Sequence, residues 1–171
     1  MLVVPADRAV WARDETKDRS QVEVVTGGEL RQESVGNGLQ KVSTGTVLVH
    51  DAARPLFDET VLDALVDALS SHDAAIPGVP VGETVKEAEG SRVVRTVDRR
   101  NLVLSQTPQA FHTATLRDAH ARAADEDFTS TDDAELIERY GGMVAVVPGS
   151  RNNIKLTYPE DFALAEALIG S

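Results

Sequence analysis

The chain has 171 residues, 42% of them hydrophobic, a formal net charge of −11 and no cysteine. That length suits one domain around a single core. Without thiols there are no disulfides, no zinc–thiolate centres and no thiol catalysis, and the negative balance argues against a general nucleic-acid binder, which needs a basic face. No apolar run approaches the ~20 residues of a membrane span, and no signal peptide is read at the N-terminus. A cytoplasmic, reducing setting is expected.

In chain order, Leu2–Val4 reads as a strand and residues 7–18 as a polar helix in which Trp11 is expected to pack on the sheet. Residues 22–26 form a strand ending at Gly27-Gly28, 33–42 a helix, and 46–50 a strand. Val61, Leu62, Leu65, Val66 and Leu69 recur at helical spacing behind Asp58, a candidate N-cap. A strand begins at Ala74. Two short β-type runs, 84–88 and 92–96, flank Glu89-Gly90-Ser91 and read as a hairpin. Their alternation is polar on both faces, which suits a protruding arm that needs a partner. A strand at 102–106, helices at 113–124 and 130–140 (capped by Ser130 or Thr131), a strand at 143–147 and a last helix opened by Pro159 complete the pattern. Strands alternating with helices indicate a parallel or mixed α/β sheet.

The segment His50-Asp51-Ala52-Ala53-Arg54-Pro55 follows a strand. It delivers a carboxylate and a guanidinium to the C-terminal edge of the sheet, where ligands of such folds sit. Arginine suits a phosphate because its planar fork binds two oxygens, and the carboxylate suits a hydroxyl or a hydrated divalent cation. Taken alone, the segment reads equally well as a turn with a surface ion pair. In so acidic a chain any anion site must be a local positive pocket; Arg54, Lys86, Arg99, Arg100, Arg151 and Lys155 are the candidates. His50, His72, His112 and His120 show no metal-ligand spacing. His50 reads as structural, the other three as surface residues.

Five further segments recur in a specific order with this one: Gly27-Gly28-Glu29-Leu30-Arg31-Gln32-Glu33-Ser34, Val81-Gly82-Glu83-Thr84-Val85-Lys86 with Asp98-Arg99-Arg100, Gln106-Thr107-Pro108-Gln109, Thr131-Asp132-Asp133-Ala134, and Asn153-Ile154-Lys155 ahead of Pro159. Together they resemble the 2-C-methyl-D-erythritol 4-phosphate cytidylyltransferases of the non-mevalonate isoprenoid pathway, from Leu2 to Ile169.

The resemblance implies a Rossmann-like, glycosyltransferase-A-like nucleotidyltransferase fold: a mixed sheet with helices on both faces and a β-arm at 83–100 that makes a homodimer. The implied reaction moves CMP from CTP onto a polyol phosphate. It needs in-line positioning and charge neutralisation rather than a strong base. The resemblance assigns Asp51, Lys155 and Arg99 to catalysis, Arg54, Thr84, Thr107 and Thr131 to the polyol phosphate, and Gly28, Glu29, Ser34 and Ala52 to the nucleotide. Arg99 and Thr84 would act on the neighbouring subunit. The hydroxyl of Thr107, extended ahead of Pro108, is expected to face the site. Asn152 and Asn153 are amides where many families carry an acid, so Mg²⁺ would rest on the CTP phosphates and no residue is assigned as a metal ligand. Ribitol 5-phosphate cytidylyltransferases and a non-catalytic dimerisation module are the rival readings.

Members of the family open with a strand and a glycine-rich loop whose arginine and lysine hold the triphosphate. The sequence contains no such loop, and Leu2–Val4 resembles the family's second strand. The expectation is an N-terminally incomplete single domain over 1–171, with a gap between Leu2–Val4 and the strand at 46–50, poor CTP binding and a tendency to aggregate.

Overall fold

The computed structural model describes Met1–Gly170. Its elements run β1 (Leu2–Val4), a 3-10 turn (Ala6–Arg8), α1 (Ala9–Thr16), β2 (Val24–Thr26), α2 (Arg31–Leu39), β3 (Thr46–Val49), α3 (Thr60–Ala68), β4 (Ala74–Pro80), β5 (Val85–Glu89), β6 (Arg92–Val97), β7 (Val103–Ser105), β8 (Gln109–His112), α4 (Thr113–Asp125), α5 (Asp133–Arg139), β9 (Val144–Pro148) and α6 (Pro159–Ile169). No helix among the described residues is long and apolar enough to cross a membrane.

The main sheet has the order β3-β8-β4-β7, with β9 also paired to β4. It is mixed: β9 runs parallel to β4, while β8 runs antiparallel to both β3 and β4. Successive residues of a strand face opposite sides, and here they feed two cores. Ala74 and Phe111 pack with Leu116, Leu136 and Ile137 of α4 and α5. Ala75 and Ala110 pack with Leu65 and Leu69 at α3. Helices therefore cover both faces, and β4 is buried along nearly its whole length, as its unbroken apolar run requires. At the start of α3, Asp58 Oδ1 accepts from the Thr60 backbone N–H at 2.9 Å and from its hydroxyl at 2.8 Å.

β1 and β2 form a separate parallel pair packed on Ala9 and Ala12 of α1. Among the described residues β1 pairs only with β2, and β3 only with β8. Between β1 and β3 lies a cleft of ≈ 290 Å³ walled by Leu2, Val3, Val35, Val47, Leu48 and Val49.

The β5–β6 hairpin stands apart, paired to no other strand among the described residues, with Gly90 at φ 57° in its turn. Val93 and Val94 are 57% and 44% exposed, so the hairpin has no core of its own.

Several local expectations change. β8 was not anticipated, because Gln109-Ala110-Phe111-His112 shows neither alternation nor a long apolar run. α2 begins at Arg31, not at residue 33. The cap of α5 is Asp132, not Ser130 or Thr131: Asp132 Oδ1 accepts from the Glu135 N–H at 3.0 Å, while the Thr131 hydroxyl donates to the Glu135 carboxylate. Trp11 does not pack on the sheet; it is 59% exposed, because the face of α1 that meets β1 and β2 is filled by Ala9 and Ala12. His120 is not a surface residue: its side chain is 10% exposed and meets a buried carboxylate. His72 and His112 are half-buried, pairing with the Ala68 and Leu69 carbonyls.

Candidate active site

Three loops meet at the carboxyl end of β3. The Arg54 N–H donates to the Asp51 carbonyl at 2.9 Å, closing a tight turn. The Asp51 N–H donates to Thr107 Oγ1 at 3.0 Å, and the same hydroxyl pairs with His50 Nδ1 at 3.1 Å. His50 Nε2 pairs with the Arg54 carbonyl at 2.9 Å, so this histidine holds the turn together. The third loop is tied in by Asn153, whose Nδ2 donates to the Thr107 carbonyl at 2.9 Å. The Leu156 N–H also donates to the Ala53 carbonyl at 2.8 Å. Gln106 braces that loop, donating to the Ser150 and Asn153 carbonyls and accepting from the Ser150 N–H. Buried amides thus hold the loops at fixed distances before any ligand arrives.

The Asp51 carboxylate is the focus. Lys155 Nζ donates to Oδ2 at 2.9 Å, and Arg31 Nε donates to Oδ1 at 3.1 Å. Burial alone would raise the pKa of this half-buried acid, but the Lys155 hydrogen bond and the Arg31 charge outweigh it, and the pKa falls below the usual carboxylate value. Arg31 reaches a second acid: its Nη1 donates to Asp133 Oδ2 at 2.6 Å. Burial would lower the Arg31 pKa, yet the two carboxylates more than offset that and raise it. Arg54 shows the opposite balance. Burial lowers its pKa from the ordinary arginine value, only partly offset by the Asp51 charge. Its guanidinium donates to the Asn153 carbonyl at 2.7 Å.

A hollow of ≈ 210 Å³ is lined by Arg31, Asp51, Arg54, Thr131, Asp132 and Lys155. It adjoins a second of ≈ 400 Å³ that shares Arg54 and Lys155 and adds Gly82, Glu83 and Arg151. Arg31, Arg54, Arg151 and Lys155 therefore border these two neighbouring hollows in a chain whose net charge is −11. Such a surface suits anions carrying more than one phosphate.

On the neighbouring side, the Gly27-Gly28 turn presses on the start of α2. A Cβ at Gly28 would lie 2.4 Å from the Glu33 side chain, and one at Gly27 would lie 2.5 Å from Ser34 Oγ. Glu33 accepts from the Glu29 N–H at 2.8 Å, and Ser34 Oγ accepts from the Gly28 N–H at 3.1 Å. Ala52 is exposed beside this loop, on the rim of the β1–β3 cleft.

The fold brings together Asp51, Arg54, Lys155 and Thr131. Thr107 lies beneath them, and its hydroxyl does not point freely into the site because the Asp51 N–H and His50 occupy it. Ser34 Oγ is likewise used to hold the Gly28 loop. Arg99 and Thr84 do not line the hollow around Asp51; Arg99 donates to the Gly82 carbonyl from the base of the arm. Two residues of the cluster, Arg31 and Asp133, were not singled out from the sequence. They stand inside the Gly-Gly-Glu-Leu-Arg and Thr-Asp-Asp segments, but 102 positions separate them and no spacing rule links them. Among the described residues, no three His, Asp or Glu side chains converge in a way that could hold a metal ion.

A family model for 2-C-methyl-D-erythritol 4-phosphate cytidylyltransferase matches residues 1–171. The chain is 43% identical to the protein of that name from Syntrophus aciditrophicus (strain SB), over 99% of this chain and 75% of the relative. It is 42% identical to the one from Halalkalibacterium halodurans, over 99% and 76%. Among solved structures, it superposes on 4-diphosphocytidyl-2C-methyl-D-erythritol synthase from Anaerococcus prevotii with a TM-score of 0.90 at 29% identity, covering 99% of this chain and 78% of that one. For the cytidylyltransferase of Thermus thermophilus the TM-score is 0.81 at 36% identity, covering 94% and 87%. These structures share the Rossmann-like nucleotidyltransferase fold, and the chain belongs to the 2-C-methyl-D-erythritol 4-phosphate cytidylyltransferase family.

Proposed function

We propose that this protein transfers CMP from CTP to 2-C-methyl-D-erythritol 4-phosphate. A phosphate oxygen of the polyol attacks the α-phosphorus of CTP. The bond from that phosphorus to the bridging oxygen breaks, pyrophosphate leaves, and 4-diphosphocytidyl-2-C-methyl-D-erythritol is formed. The observation that carries this reading is the Asp51 carboxylate held between Lys155 and Arg31 beside Arg54. The nucleophile is already ionised at neutral pH, so a base is unnecessary; the barrier lies in bringing two anions together.

Lys155 keeps two N–H donors beyond the one given to Asp51 and is the group for the α-phosphate. Arg54 and Thr131 face the polyol phosphate. Asp51 accepts from polyol hydroxyls through its remaining lone pairs. Gly28, Glu29, Ser34 and Ala52 form the nucleotide side, where backbone groups read the cytosine edge. Thr107 supports Asp51 from below.

Mg²⁺ enters as part of the CTP substrate. One hydrogen bond on each Asp51 oxygen, to Arg31 and Lys155, and two on Asp132 Oδ2, to Ser105 and Gln109, support a reading in which the ion rests mainly on the CTP phosphates and water.

The exposed, coreless hairpin supports a homodimer in which the arm of one subunit brings Arg99 and Thr84 to the site of the other. The lack of cysteine fits the cytoplasm. Pyrophosphate release that requires both CTP and the polyol phosphate tests the proposal, and release with CTP alone counts against it.

A further inference from the structure

Beneath the site lies a buried carboxylate. Asp133, the first residue of α5, is 1% exposed. Its Oδ2 accepts from Arg31 Nη1 at 2.6 Å, and its Oδ1 pairs with His120 Nε2 of α4 at 3.1 Å. A buried anion is costly unless paired, and losing its partner leaves an uncompensated charge. Arg31 answers that cost from one side of a rigid plane. From the same plane its Nε reaches Asp51 at 3.1 Å. Because guanidinium nitrogens keep a fixed relative geometry, fixing Nη1 on Asp133 fixes where Nε points, and thus where the Asp51 carboxylate lies. Lys155 offers no such constraint, being a point charge on a flexible stem that is 47% exposed.

We infer that Asp133 is a positioning residue, acting through Arg31 to hold Asp51 in the orientation that receives the polyol phosphate. Arg31 is also the first residue of α2, directly after the nucleotide-side loop. The Asp133–Arg31–Asp51 chain therefore locks that loop to the acceptor-side turn, so that the two substrates are presented in register. His120 completes the anchor by occupying the other oxygen of Asp133.

The inference rests on the proposed reaction for its kinetic arm and is independent of it for its spectroscopic arm. In the first, Asp133→Asn is measured alone and in an Asp51→Asn background. Alone it lowers kcat/KM about 100-fold, the scale of an ångström of misplacement. In the Asp51→Asn background it costs no more than roughly twofold, since the group it positions is already lost. Arg31→Lys gives the same pattern and serves if Asp133→Asn does not fold. Costs that add in full would mean general destabilisation and overturn the inference.

In the second arm, hydrogen exchange of the Arg31 Nε–H is followed by NMR without substrate. It is slow in the unsubstituted protein and fast in Asp133→Asn, and retained protection in that variant overturns the inference. Protection lost as expected in a protein that transfers no CMP would refute the proposed reaction and leave the positioning role standing.

Discussion

Lys155 and Asp51 stand 104 positions apart in the chain, and their side chains meet at 2.9 Å. One reaches in from the loop before α6, the other from the turn after β3. The contact joins the proposed α-phosphate ligand to the proposed polyol ligand, so altering one disturbs the other. Lys155→Ala is expected to lower kcat by about 100-fold or more, the scale of losing an electrostatic stabiliser. Lys155→Arg should recover little, because a planar fork replaces a point charge. Steady-state kinetics with CTP and the polyol phosphate check both.

Asp51 also sets a pH dependence of stability. Its pKa is lower in the folded protein than in the unfolded chain, so its contribution is fully present above the ordinary carboxylate pKa and is lost as pH falls through the depressed folded value. Urea midpoints of the protein and of Asp51→Asn should differ most at neutral pH and converge in acid. A gap that widens on acidification would contradict this sign.

The Gly27-Gly28 turn leaves no room for a side chain. At Gly28 an added Cβ meets Glu33 at 2.4 Å, so the loop or α2 must shift. Gly28→Ala should destabilise by about 1–3 kcal/mol, as overpacking does, and weaken Mg·CTP binding more than polyol phosphate binding. Denaturant titration and calorimetry with each ligand separate the two effects.

Deleting 83–95 should yield a monomer by light scattering, because the arm is the proposed dimer element, and the rest should stay folded because the hairpin pairs with no other strand among the described residues and has no core of its own. Arg99→Ala should lower transfer sharply. Mixing Arg99→Ala with Asp51→Ala subunits should restore part of the activity, since one site of each mixed dimer is then intact. A verified mixed dimer without rescue would exclude sharing between subunits.

The elements that periodicity marks were legible in the sequence. The spacing of Val61, Leu65 and Leu69 pointed to α3, and the two-sided polarity of residues 84–96 to an arm with no core. β8 was not legible because it carries only two apolar residues, Ala110 and Phe111, one for each face of the sheet. What makes it a strand is its place between β3 and β4, a tertiary fact. The site divides in the same way. Asp51, Arg54 and Lys155 stand out because each closes a strand or loop with a chemistry-bearing side chain. Arg31 and Asp133 do not, because their meaning lies in one contact across 102 residues. Thr107 shows the converse: the position is close to the site, but its hydroxyl supports the Asp51 backbone instead of facing the cleft.

The proposed reaction is tested most directly by mass-spectrometric product analysis after incubation with Mg²⁺, CTP and each of two acceptors, 2-C-methyl-D-erythritol 4-phosphate and ribitol 5-phosphate. The account predicts 4-diphosphocytidyl-2-C-methyl-D-erythritol with equimolar pyrophosphate, and little product from ribitol 5-phosphate. A preference for ribitol 5-phosphate, or no cytidylylated product from either acceptor, would contradict it.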